Sequence, residues 1–308
     1  MAQIVISEFM DAEVVASAFA GRDLLFDDTL VDRPGELLAA LSDAEALLVR
    51  NRTRVDAALL ASAPRLKVVG RLGVGLDNID LEACRARGVA VCPATGANDL
   101  AVAEYVIAMA LVLLRGAYLA SHAVQQGAWP RMKLIGRESA GKRLGLVGYG
   151  AIARLTARLA AGLGFEICAF DSLLAAGDAA WAGAARIATL DELLAACDVV
   201  SLHVPLTPQT RGMFDAPALA RMKRGAILIN AARGGVVDEH ALAQALREGH
   251  LGGAALDVFD VEPLTVEAGA RFADTPNLIL TPHIAGVSDE SNLRVSEVTA
   301  QNVLRHLS

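Results

Sequence analysis

The chain has 308 residues, 54% hydrophobic and 20% charged, which is long enough for two ordinary cores and too apolar for a disordered or low-complexity protein. Its formal net charge of -7 argues against nonspecific nucleic-acid binding, which needs a basic face to displace counterions, but not against a small anionic ligand. Four cysteines (Cys84, Cys92, Cys168, Cys197) lack CxxC spacing or a histidine partner, so they read as reduced core thiols, and neither a metal site nor a disulfide framework is expected.

In chain order, "MAQIVISEF" lacks the basic start and long apolar core of a signal peptide. Short apolar runs follow, "QIVIS", "ALLV" and "KVVGR", each trailed by helical periodicity. A long Ala/Leu-rich helix is expected from about Asp99 to His122. Its most apolar stretch, "YVIAMALVLL", is flanked by Glu104 and Arg115 and has roughly half the length of a membrane span, so no membrane partner is expected and the protein reads as cytoplasmic. A second series of runs comprises "RLGLVG", "EICAF", "DVVSLH", "AILIN", "AALDV" and "LILT". Apolar runs alternating with helical patterns indicate α/β architecture with parallel sheets covered on both faces. Two doubly wound parallel-sheet domains are therefore predicted, with a boundary near Gly96 to Asn98.

Residues 145 to 154, "GLVGYGAIAR", place Gly148 and Gly150 in the first two positions of G-x-G-x-x-G/A and Ala153 in the third. The first glycine permits a sharp strand-to-helix turn, and the second lets backbone approach a pyrophosphate seated on the helix N-terminus. The following helix should pack through Ile152, Leu155, Leu159 and Leu163, with Arg154 and Arg158 off that stripe. Asp171, 23 residues beyond Gly148, ends the next apolar run. A carboxylate there accepts ribose hydroxyls and repels a 2′-phosphate, so the motif predicts NAD rather than NADP. Thr189 with Glu192 reads as a capping box opening "LDELLAAC".

Three further residues stand just after strands of the second series: Arg233 after "AILIN", Glu262 after "AALDVFDV" and His283 after "LILTP". Singly, each has an inert reading: Arg233 could pair with Asp238, His283 could be a satisfied core histidine, and Glu262 could be a solvated loop charge. Jointly they point to chemistry, because ligands in open α/β sheets collect at the carboxyl ends of strands.

The stretches "VGYGAIAR", "SLHVPLTPQTRG", "LINAARGGVVDE", "ALDVFDVEP" and "LTPHIAG", with "GVGLDNID" and "GANDLAVAEY" before them, resemble the D-isomer-specific 2-hydroxyacid dehydrogenase family in its own order, especially its short phosphoglycerate-dehydrogenase-like members. The resemblance implies that Arg233 clamps the substrate carboxylate and carbonyl, that His283 is the general acid/base at the C2 hydroxyl, and that Glu262 holds His283 and raises its proton affinity. It implies that Ala151, Ile152, His203, Pro205, Ala231, Ala232, Asp257 and Gly286 line the NAD site with Gly148, Gly150 and Asp171. Residues 1–97 plus 286–308 should form a flavodoxin-like substrate-binding domain, with a Rossmann NAD domain, 98–285, inserted into it; closure between the two would exclude water. A homodimer pairing through the helix after Asn98 is implied, and no C-terminal regulatory domain is expected. His122, His240, His250 and His306 match nothing in the pattern and are expected at the surface.

In the first domain the resemblance assigns Gly73, Val74 and Gly75 to a backbone nest for the substrate carboxylate and Asn51 to a place beside the substrate. Beyond it, Arg50, Arg52, Arg54 and Arg71 concentrate positive charge. Alternating arginines on one loop cannot all face a ligand, but such a flank does not suit an apolar substrate side chain. A second anion is expected, with Arg71 a contact, which points to (S)-3-sulfolactate or 3-phosphoglycerate; "ISEFMD", "VRNRTRV" and "GRLGVGLDNID" resemble the (S)-sulfolactate dehydrogenases more than the serine-pathway enzymes. Sulfur outranks the carboxyl carbon in the priority rules, so (S)-sulfolactate has the spatial arrangement of a D-2-hydroxy acid. The alternatives are glyoxylate or hydroxypyruvate reduction, or an NAD-sensing binding protein like the corepressors that resemble this family, although nothing here resembles their partner-binding extensions.

Overall fold

Strands form where apolar runs are buried on both faces, the condition that suits a parallel sheet: Ile4, Val5 and Ile6 are fully buried, as are Leu47, Leu48 and Val49. The structure, a computed structural model, describes residues 3–307. The chain divides into two units, one running to Asn98 and resuming at Val287, the other Asp99–Gly286. The elements up to the first crossing are β1 (Ile4–Ile6), α1 (Ala12–Ala18), β2 (Leu24–Phe26), α2 (Pro34–Ala40), β3 (Ala46–Val49), α3 (Ala57–Ala61), β4 (Val68–Arg71), α4 (Leu81–Ala86) and β5 (Ala90–Pro93). The second unit holds α5 (Asp99–Arg115), α6 (Ser121–Gln125), β6 (Arg143–Val147), α7 (Ala151–Ala161), β7 (Glu166–Phe170), β8 (Ala185–Arg186), α8 (Leu190–Ala196) and β9 (Val199–Leu202). It continues with α9 (Ala216–Arg221), β10 (Ile227–Asn230), α10 (Glu239–Arg247), β11 (Gly253–Leu256), α11 (Val266–Gly269) and β12 (Leu278–Leu280), and the chain then returns as α12 (Asp289–Leu307).

The first unit is a parallel sheet of order β2-β1-β3-β4-β5, the flavodoxin-like winding. Its α1, α3 and α4 open on Asp11, Asp56 and Asp80, whose carboxylates accept backbone N–H groups of the first turn, as N-caps do. Helix α12 is a full member of this unit: a Cβ on Gly70 of β4 would stand 2.5 Å from Val303 Cγ2 and 2.9 Å from Thr299 Cγ2. The missing side chain is what lets helix and strand approach.

The second unit is a parallel sheet of order β12-β11-β10-β9-β6-β7-β8. The winding reverses between β6 and β9, the kind of switch point beside which open α/β sheets take ligands. Helix α7 meets its neighbours through Ala153, Thr156, Ala157 and Ala160, all buried, whereas Ile152, Leu155 and Leu159 are half-buried and Leu163 is exposed. The expected leucine stripe is therefore the margin of the contact. The centre is taken by small residues because α5 packs closely there, sharing one core cluster with Ala153, Ala157 and Ala160.

Two other expectations change. The long helix stops at Arg115, since Gly116 turns left-handed at φ +62° and only short helical turns follow. The expected series of strands also gains β2, β5 and β8, which are short and whose burial is partial or absent. Thr189 does cap α8, accepting the Glu192 N–H at 3.2 Å.

Candidate active site

In the second unit the glycine turn is built as its sequence requires. Gly148 has φ +85°, and a Cβ there would stand 2.6 Å from the His203 carbonyl oxygen, so both backbone conformation and close approach require glycine. Its N–H donates to Phe170 O at 2.8 Å. Gly150 precedes α7 without a side-chain cap and with nothing within 4 Å of where its Cβ would lie. An 11-residue helix thus presents uncapped N–H groups to open ground, the arrangement that fits a pyrophosphate. Asp171 accepts Tyr149 N–H at 2.8 Å through one oxygen, and Leu173 and Leu174 N–H groups through the other. Its carboxylate fixes the glycine turn to the end of β7.

Ala151 is exposed at the start of α7, with Ile152 half-buried beside it. His203 hydrogen-bonds Ser201 Oγ through Nε2 at 3.0 Å, and burial draws its pKa down to about 4, so the ring is neutral near pH 7. Pro205 is exposed, and its carbonyl accepts the Thr210 hydroxyl at 2.6 Å. Ala231 and Ala232, half-buried, pack against the cores on opposite faces of the sheet. Gly286, half-buried, ends the unit.

The charged residues lie beyond the carboxyl ends of β10, β11 and β12. His283 Nδ1 lies 2.6 Å from Glu262 Oε2, while Glu262 Oε1 accepts the Phe259 N–H at 2.9 Å. Burial pushes the Glu262 carboxyl up, but the bonds from His283 and Phe259 and the charges of His283 and Arg233 outweigh it, and the net shift is downward. Glu262 is ionised at neutral pH, which makes Nδ1 the protonated nitrogen of a neutral His283 and leaves Nε2 with a free lone pair. Arg233 donates to Ala232 O at 2.6 Å, and Asn230 brackets the same turn by donating to Arg233 O and accepting Ala232 N–H.

His283 itself adopts φ +56°, a left-handed conformation that costs a non-glycine residue about 1 kcal/mol. Asp257 opposes that cost. It is 1% exposed; its Oδ1 accepts the Thr281 hydroxyl and the Ile284 N–H, its Oδ2 the Ala285 N–H, and its carbonyl the His283 N–H. Asp257 thus sits beneath the His283 loop, with both oxygens accepting hydrogen bonds from it.

In the first unit the 50–53 loop is gathered onto one buried carboxylate. Glu8, 4% exposed, accepts the N–H groups of Arg50, Asn51, Arg52 and Thr53 at 2.9 to 3.2 Å. Asn78 ties the same loop to the next, donating to Thr53 O at 2.6 Å and Arg50 O at 3.3 Å. Asn51 is exposed on this loop. Gly73 has φ +142° and no room for a Cβ beside the Arg71 guanidinium. Its N–H donates to Arg71 O; among the described residues those of Val74 and Gly75 have no acceptor. Arg71 folds back to donate to Gly75 O at 2.8 Å and Leu72 O at 2.5 Å, which makes it a brace of this loop. Arg52 pairs with Asp32, Arg54 is exposed, and Arg50 is half-buried against Phe9 and Asn292.

Several of these residues escaped the sequence reading. Glu8 and Asn78 act on partners about 25 to 45 positions away, and Asn230 works through its own turn. Glu239, 4% exposed, accepts the Asp260 N–H and an Arg271 guanidinium N–H, each at 2.8 Å, and so braces the loop that carries Glu262. Of the unmatched histidines, His122, His240 and His306 are exposed, but His250 is half-buried with Nε2 enclosed. Among the described residues no helix is long and apolar enough to cross a membrane.

Comparison with known proteins agrees with this geometry. A family model described as "D-isomer specific 2-hydroxyacid dehydrogenase, NAD binding domain" matches residues 107–285. The chain is 53% identical to an (S)-sulfolactate dehydrogenase of Chromohalobacter salexigens, over 100% of this chain and 99% of that one. It is 42% identical to a D-3-phosphoglycerate dehydrogenase of Mycobacterium leprae over 89% of this chain but only 51% of that protein, so it spans about half of that relative's length. In structure it is similar to a D-lactate dehydrogenase of Aquifex aeolicus solved with NAD and lactic acid, at TM-score 0.87 and 29% identity, covering 99% of this chain and 95% of that one. The chain belongs to the D-isomer-specific 2-hydroxyacid dehydrogenase family and is an NAD-dependent oxidoreductase of a D-2-hydroxy acid.

Proposed function

We propose that the substrate is (S)-3-sulfolactate, oxidised at C2 to the corresponding 2-keto acid. The observation that carries the chemistry is the 2.6 Å contact between His283 Nδ1 and Glu262 Oε2. In the oxidation direction His283 Nε2 accepts the C2 hydroxyl proton, and Glu262 stabilises the imidazolium that results. In reduction the same imidazolium returns the proton. Arg233 offers a planar fork that matches a carboxylate or the carbonyl oxygen beside it; in the first unit the open N–H groups of Val74 and Gly75 suit a carboxylate. Gly148, Gly150 and Asp171, with the N-terminus of α7, would hold NAD, which would supply the acceptor for the C2 hydrogen as hydride.

Support for sulfolactate comes from the identity with the Chromohalobacter salexigens enzyme and from the state of the arginines. Arg71 and Arg52 are committed to partners and Arg54 is exposed, which favours the half-buried Arg50 as the reader of a distal sulfonate. The proposal includes a homodimer. Tyr118, Trp129, Met132 and Ile135, 66% to 80% exposed, form a run of large apolar side chains after α5 of the kind a second copy covers. It also places the enzyme in the cytoplasm, where free thiols such as Cys84, Cys168 and Cys197 persist.

The test is NADH formation with D-lactate, D-glycerate, 3-phosphoglycerate and both enantiomers of 3-sulfolactate. We expect the highest kcat/KM with (S)-sulfolactate, and a higher value with 3-phosphoglycerate or glycerate overturns the assignment.

A further inference from the structure

Arg50 is held unlike its neighbours. Its guanidinium carbon lies 5.5 Å from the centre of the Phe9 ring, and its Nη2 donates to Asn292 Oδ1 on α12 at 2.8 Å. Burial draws its proton affinity down against the opposing charge of Glu8. A cation that has lost solvent normally gains a carboxylate in exchange. Here the side-chain acceptor is an amide, and among the described residues no carboxylate oxygen is within ion-pair distance of Arg50. The nearby acid, Glu8, acts on Arg50 only through space: its oxygens accept the four backbone N–H groups of the 50–53 loop and make no bond to the guanidinium.

An amide and a carboxylate would both aim the guanidinium, but only the carboxylate would cancel its charge. An aromatic face likewise attracts a cation without neutralising it. We propose that Asn292 and Phe9 are positioning residues that hold Arg50 rigid without a direct counter-ion, so that the substrate's distal anion supplies one. The neutrality of position 292 is then a specificity determinant for 2-hydroxy acids that carry a second anion. This inference rests on the reading of Arg50 as the distal-anion contact.

The measurement is the specificity ratio, kcat/KM for (S)-sulfolactate divided by that for D-glycerate, in the wild type and in Arg50→Ala, Asn292→Ala and Asn292→Asp. Loss of a charge-assisted contact should lower the ratio about 10- to 100-fold in Arg50→Ala. Asn292→Ala should lower it less, through KM for sulfolactate rather than kcat. Asn292→Asp supplies a stronger acceptor in nearly the same shape, so a purely structural role predicts tolerance. We expect instead a fall as large as that of Arg50→Ala, because the introduced carboxylate takes the place of the substrate's anion. A ratio within twofold of wild type in Asn292→Asp overturns the inference when Arg50→Ala has lowered it. An unchanged ratio in Arg50→Ala overturns the assignment of Arg50 and the inference with it. If Asn292→Asp fails to fold, Phe9→Leu serves as the second variant: a ratio lowered through sulfolactate KM supports the inference, and an unchanged ratio overturns it.

Discussion

Glu262 and His283 are 21 positions apart in sequence and 2.6 Å apart in space, and the charge of one sets the chemistry of the other. Glu262→Gln keeps an acceptor for Nδ1–H but removes the charge that stabilises imidazolium. We expect kcat to fall about 100-fold with the fold intact, and an unchanged kcat would remove Glu262 from the mechanism. The pair also has a pH signature. Because the Glu262 pKa is lowered from 4.5 in the folded protein, its contribution to stability is present above pH 4.5 and fades as pH falls through the lower folded value. With side chains 40% and 31% exposed, that contribution should stay below about 1 kcal/mol. The melting-temperature gap between wild type and Glu262→Gln should therefore close on acidification, and a gap that widens would contradict the assignment. The three charged residues were legible in the sequence because each stands just past an apolar run. The residues that hold them, Asn230, Asp257 and Glu239, were not legible in those roles, since only the folded chain shows what a buried polar group touches.

At the scale of elements, the site is two loops pressed together. A Cβ on Gly234, the residue after Arg233, would overlap the carbonyl of Phe259 in the loop that carries Glu262. Gly234→Ala must therefore push apart the Arg233 turn and the Glu262 loop. Overpacking of this kind costs about 1–3 kcal/mol, which for a domain of this size lowers the melting temperature by about 5 °C. We expect kcat/KM to fall with it, since both loops carry reacting groups, and full activity at the wild-type melting temperature would refute the contact. Both glycines of "ARGG" were visible in the sequence, but the loop on which one of them abuts was not. The same limit applies to whole elements. Central strands such as β3, β9 and β10 announce themselves through continuous apolar residues, whereas β2 and β8 are short edge strands and β5 ends in Pro93. Such strands take their identity from pairing with a neighbour. Helix α7 was found at the right place with the centre of its contact misjudged, because hydrophobicity ranks leucine above alanine while close packing on α5 selects alanine.

For the whole molecule, the first question is how many chains assemble. The exposed Tyr118, Trp129, Met132 and Ile135 predict that sedimentation equilibrium will give twice the 32.1 kDa of one chain. A double substitution, Trp129→Glu with Met132→Glu, should shift it toward the single-chain mass; a wild type that sediments as one chain refutes the dimer. The two-unit α/β plan was legible, since its signal is summed over many βα repeats and survives the loss of a few edge strands. Which of Arg50, Arg52, Arg54 and Arg71 is placed to meet a distal anion was not, because the four differ only in their surroundings.

The membership of α12 in the first unit has a consequence for the order in which the protein can be made. On the ribosome, the strands up to Pro93 emerge first but must wait for Val303 and Thr299 to seal the surface over Gly70. The inserted unit, translated later, has all of its strands by Leu280 and can mature while its elder neighbour is still unsealed. A nascent chain halted before Asp289 would carry a finished nucleotide fold beside an unclosed sheet, and chaperones would be expected to grip that opening.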